Sequence, residues 1–132
     1  VRVWRGLKGI SPSDLIKQGG IKIDSPSNAE PLGGLSVYEE NNVALIGYKK
    51  GLPFIVSYSG VKKEGTLGGV AGILPDGTDY IIAGGVAMYT PGAGGEGHWT
   101  ITVEGLTTDQ TKRTLLDYAE KYFNKKYEWT PP

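Results

Sequence analysis

Hydrophobic and polar positions alternate with period two in several short segments of this chain, and the clearest amphipathic-helix spacing lies near its end. "VRVWRGL", residues 1–7, sets Val1, Val3 and Arg5 on one face of a strand and Arg2 and Trp4 on the other, so an arginine ends an otherwise apolar face. "GLSVYE", residues 34–39, alternates Leu35 and Val37 against Ser36 and Tyr38, which predicts a strand with the serine and tyrosine projecting together. In "PFIVSYS", residues 53–59, Phe54, Val56 and Tyr58 share a face. Asp76-Gly77 lies between two aliphatic runs in "GILPDGTDYII", and because both residues tolerate positive φ the stretch predicts a hairpin. A final strand is expected over 98–103, whereas "NNVALIGYKKG" fits a short helix and a strand equally well.

Two segments read as helices. In "SPSDLIKQGG", Ser11 can cap, Pro12 suits the first helical position, Asp14 favours the positive end and Gly19 can stop the helix, which spans about 12–18. "TTDQ" offers a capping box of Thr107 and Gln110, followed by an apolar stripe of Leu115, Leu116, Ala119, Tyr122 and Phe123 that should pack on a sheet. Residues 24–34, rich in Ser, Pro, Asn and Gly, form a loop. Strand, helix, several strands and terminal helix make a mixed α+β domain.

At 132 residues there is room for one core, so a single domain covers 1–132, and the missing initiator Met is compatible with its being the C-terminal part of a longer protein. Apolar residues at 39%, with eight Tyr and three Trp, are enough to fill that core. Fourteen basic against fourteen acidic residues provide no field for stable nucleic-acid binding. The absence of Cys removes thiolate chemistry, and one His leaves no spaced ligand set, so no metal is expected. No apolar run reaches the ~18 residues of a membrane span, and no membrane association is expected. The 21 glycines, paired at 19–20, 33–34, 68–69, 84–85 and 94–95, mark sharp turns or close approach of backbone to a ligand.

Among candidate chemistries, Ser36 or Ser57 with His98 lacks a nucleophile elbow and a third group. "GGEGHW" precedes a strand and contains no phosphate-loop motif. Glu39, Glu40, Glu64, Glu96 and Glu104 permit glycosidase chemistry without positioning any two across a sugar. A more specific constellation joins Arg5, able to hold a phosphate bidentately, Ser36 with Tyr38 on a middle strand, and Glu96 with His98 at the entrance of the last strand.

That constellation resembles the toxin domains of ADP-ribosyltransferase type, and within them the second exported effector of bacterial type VI secretion. The residues that carry the likeness are "VWRG" followed by "SPSDLIKQGG", then "GGLSVYE", "LPDGTD" and "HWTI" before the C-terminal helix. The resemblance implies a split, mostly antiparallel sheet with a short N-terminal helix and a long C-terminal one. It implies a secreted antibacterial effector acting in the target-cell cytoplasm, restrained in the producer by an immunity protein. Its cofactor would be NAD, with Arg5, Trp4, Ser36 and Tyr38 toward the dinucleotide. Glu96, His98 and Ser36 would attend transfer of ADP-ribose to a target macromolecule or hydrolysis of the glycosidic bond. The family's Gln/Glu-x-Glu signature is absent, and "EGH" stands in its place. Two other readings remain: a metal-free ribonuclease toxin using His98, and a non-catalytic binding module whose aromatics form a sugar or protein surface.

Overall fold

The computed structural model describes residues 1–6, 21–46 and 51–123. Six strands, β1 (Arg2–Gly6), β2 (Leu35–Glu39), β3 (Gly51–Ser57), β4 (Leu67–Ile73), β5 (Asp79–Tyr89) and β6 (His98–Val103), close into a barrel in the order β1-β2-β6-β5-β4-β3. Every pairing is antiparallel. A one-turn helix, α1 (Pro91–Gly94), precedes β6, and α2 (Thr108–Tyr122) follows it. The ambiguous stretch after β2 contains a 3₁₀ turn, Val43–Leu45, capped by the Asn42 side chain. The helix expected over 12–18 lies outside the described residues.

This architecture corrects the expected α+β, ADP-ribosyltransferase-like split sheet. A split sheet leaves strand edges open, whereas here β1 pairs with both β2 and β3 and so seals the seam. Closure requires strong bending, and glycines supply it. The β4–β5 register shifts between Gly69 and Ala71, and opposite that bulge the long β5 turns at Gly84, whose φ of 77° is left-handed. At neighbouring Gly85 a Cβ would lie only 2.7 Å from Cγ1 of Val70. Gly68 and Gly85 therefore bring backbone against the interior side chains of Val56 and Val70.

Strand alternation fills the barrel. Val3, Leu35, Val37, Phe54, Val56, Ala87, Trp99 and Ile101 are all essentially inaccessible, and each lies on the inner face of its strand. The next row outward is exposed where nothing covers it, as at Ile81, which pairs with Ala71. One end of the barrel is fastened to α2. There Tyr118 rests against Phe54 and Tyr80 with ring centroids 5.2 Å apart in each case, in space left open by Gly72. Its hydroxyl donates to the Pro53 carbonyl and accepts the Ile73 N–H at 3.0 Å. Pro53 has no N–H with which to extend the β3–β4 ladder beyond Phe54 and Gly72, and the phenol bridges the two strands there. The capping box of Thr107 and Gln110 starts α2 as its sequence predicts.

Candidate binding site

At the opposite end of the barrel, where β2 finishes and β6 begins, the inner face changes from apolar to charged. Glu39 continues the row of Leu35 and Val37 by alternation, so its carboxylate reaches the barrel mouth half-buried. A carboxylate there must be paired to stay charged. It accepts the Trp99 indole N–H at 2.7 Å and the Lys62 ammonium at 2.9 Å on both oxygens. Lys62 also lies 5.0 Å from the centroid of Tyr89. Burial alone would lower the pKa of this ammonium, but the hydrogen bond and charge of Glu39, helped by Tyr89 and Tyr58, outweigh it and leave the pKa raised.

Above this pair opens a hollow of about 380 Å³, lined by Arg2 and Trp4 from β1, Glu39 and Lys62 at its base, and Glu96 with Gly97 from the loop before β6. Glu40, Asn41 and Asn42 line the β2 side. Asn42 is buried and fully used. Its amide donates to the carbonyls of Gly94 at 2.9 Å and Glu96 at 2.8 Å, and its oxygen accepts from Ala44 N–H at 2.8 Å. From the other side Gly97 N–H donates to the Tyr89 hydroxyl at 2.8 Å, and its carbonyl accepts from Glu39 N–H at 2.8 Å. The wall carrying Glu96 is therefore fastened at several points.

The residues singled out from sequence are distributed among three places. Trp4 and Glu96 face the hollow. Trp4, Tyr38 and His98 form a row across β1, β2 and β6, in register with one another, and the Tyr38 and His98 rings meet edge to face at 5.0 Å. Arg5 lies on the face of Val3, across the barrel wall from that row, and donates to the Ser36 carbonyl at 3.1 Å. Ser36 is paired with Thr100, away from the hollow. The guanidinium and the imidazole thus do not converge on one cleft.

His98 is 1% exposed, with Nδ1 2.8 Å from the Thr90 carbonyl oxygen and 2.7 Å from the Thr90 hydroxyl. Gly94 lies flat on its ring, since a Cβ there would come within 2.5 Å of Cδ2. The sequence pattern does not mark Lys62 or Asn42 as site residues, and it offers Glu39 only as one of five carboxylates that permit glycosidase chemistry. A usable signal existed for Glu39, a carboxylate continuing the period-two apolar face of β2. Lys62 and Asn42 are loop residues whose partners lie at sequence separations of 23 and 52, and nothing local reveals them.

Set against family models, curated proteins and solved structures, the chain matches none of them. Among the described residues no cluster of His, Asp and Glu could hold a metal ion, and no helix is long and apolar enough to cross a membrane.

Proposed function

We propose that this protein is a binding domain that holds a small polyhydroxylated molecule, a sugar or amino sugar, in the hollow beside Trp4. One contrast carries the reading: the chain's single imidazole is sealed in the barrel wall, while an indole, carboxylates and an amide line an open concavity. An aromatic face with polar groups at its rim is the arrangement that takes a ring with hydroxyls on its edges. Charge narrows the class further. The groups lining the hollow include three carboxylates, Glu39, Glu40 and Glu96, balanced by Arg2, Lys62 and the Val1 ammonium, and Lys62 is already neutralised by Glu39. A dianionic diphosphate would find no excess of positive charge there, and a neutral polyhydroxylated ligand needs none.

Calorimetric titration with neutral and amino mono- and disaccharides tests this directly. Saturable heat that disappears in Trp4→Ala is expected, and the absence of saturable heat with every member of the panel would refute the assignment.

The NAD-dependent reading has one observation in its favour: Trp4 and Glu96, both expected at the dinucleotide site, line the same hollow together with Arg2. Its fold-level support is gone with the split sheet. Release of nicotinamide from NAD by purified protein, abolished in Glu96→Gln, would restore the enzyme reading, and growth arrest on expression in a susceptible cell would then test the secreted toxin. Intact NAD after prolonged incubation removes the glycohydrolase, and the absence of labelled acceptor after incubation of labelled NAD with a cell lysate removes the transferase.

A further inference from the structure

On the outer surface of β6 a second polar system lies under cover, and none of it belongs to the hollow. The Thr90 hydroxyl is 2.8 Å from the Thr100 hydroxyl, which donates to Glu30 Oε2 at 2.8 Å. Thr90 and Thr100 are each 2% exposed. Together with the Nδ1 contacts of His98 this makes one chain of hydrogen bonds, His98–Thr90–Thr100–Glu30, linking the loop 24–34 to the imidazole beneath the loop that carries Glu96.

Its polarity is fixed at both ends. A carbonyl oxygen only accepts, so the Nδ1 that faces Thr90 O must carry the proton. An ionised carboxylate likewise only accepts, so Thr100 points its hydroxyl proton at Glu30, and Thr90 must then donate to Thr100. The Thr90 oxygen is left with lone pairs for the Nδ1 proton. Every hydroxyl in the series has one direction available, and that direction leaves Nε2 of a neutral His98 as a bare acceptor, without a hydrogen-bond partner among the described residues. The ring so fixed supports the loop above it: Gly94 rests on the imidazole, and His98 N–H donates to the Gly95 carbonyl at 3.0 Å.

We propose that Glu30, acting through Thr100 and Thr90, is a positioning residue for the hollow: it orders a one-way hydrogen-bond chain that locks His98 in the Nδ1–H tautomer and so holds the Gly94–Gly97 wall in its binding geometry. The inference rests on the reading of the hollow as a binding site for its affinity consequence, but not for the tautomer.

With only one histidine, ¹⁵N NMR of selectively labelled protein reports the ring without ambiguity. With the ring neutral, Nδ1 is expected to show the shift of a protonated ring nitrogen and Nε2 that of an unprotonated one, with the Thr90 and Thr100 hydroxyl protons protected from exchange. An Nε2–H tautomer, or rapidly exchanging hydroxyl protons in the wild type, would overturn the proposal. Glu30→Gln keeps the shape but replaces the obligatory acceptor with an amide that can also donate, so the Thr100 and Thr90 hydroxyls are no longer held in one direction. It should broaden or shift the His98 nitrogens and weaken binding of the best saccharide in the panel roughly three- to tenfold, while Glu64→Gln changes neither. Unchanged nitrogen shifts in Glu30→Gln also overturn it. If no saccharide binds even the wild type, the binding reading fails alone and the NMR arms still decide the relay.

Discussion

Single side chains at the two ends of the barrel hold buried polarity in different ways. At the α2 end, burial pushes the Tyr118 phenol well above its ordinary pKa, opposed only in part by its hydrogen bond with Ile73. A group whose folded pKa exceeds the unfolded value of about 10 contributes fully below that pH and loses its contribution as pH climbs beyond it. Tyr122 is raised in the same direction, again by burial, and Lys62 adds a loss in the same alkaline window. Stability should accordingly fall above about pH 10, and Tyr118→Phe should flatten that fall while costing about 1–3 kcal/mol at neutral pH, because the Pro53 carbonyl and Ile73 N–H lose their shared partner. Urea titrations of both proteins across pH 7–11 check slope and offset together. At the other end, Lys62→Met leaves the Glu39 carboxylate with the Trp99 indole alone. The pair is partly solvated, so a loss of about 1–2 kcal/mol is expected, less than for a fully buried pair.

Whole elements were readable from their periodicity wherever one face is buried and local turn chemistry agrees. The Asp76-Gly77 hairpin forms as expected, with Gly77 at φ 88°, and β6 runs over the expected 98–103. The cap of α2 is equally local, and Thr107→Ala should lower stability by about 1 kcal/mol, seen as a shift in urea midpoint. Barrel closure was not readable, because it depends on β1 meeting β3 and β2 meeting β6, and no local pattern encodes which non-neighbouring strands pair. The glycine pairs, expected at sharp turns or close approach to a ligand, are the available clue: Gly84, at φ 77°, is such a turn within β5, and Gly85 brings backbone against Val70. A matched pair of variants tests that role. Gly85→Ala forces a Cβ against Val70 and should cost about 1–3 kcal/mol more than Gly69→Ala, where the added Cβ meets nothing within 4 Å. Equal thermal midpoints would mean that Gly85 does not shape the barrel.

At the scale of the whole molecule, closure decides which groups can meet a ligand. The sequence pattern places Arg5, Ser36 and His98 near the ends of three strands, where convergence on one ligand is expected, but alternation puts Arg5 on the face opposite the row Trp4–Tyr38–His98. The closed wall puts Arg5 on the inner face and covers His98 from outside with the 90–97 segment, leaving Trp4 and Glu96 at the hollow. Half of the site was therefore legible as residue types near strand ends, while the other half, Glu39 with Lys62 and Asn42, exists only through contacts that closure creates. The same geometry makes the lone imidazole a structural group. Its reactivity toward diethyl pyrocarbonate, compared in native protein and in urea, probes that claim most directly. Strong protection in the native state, released on unfolding, is the predicted result; carbethoxylation of native His98 at the rate of free imidazole would contradict a sealed wall and return the histidine to the candidates for catalysis.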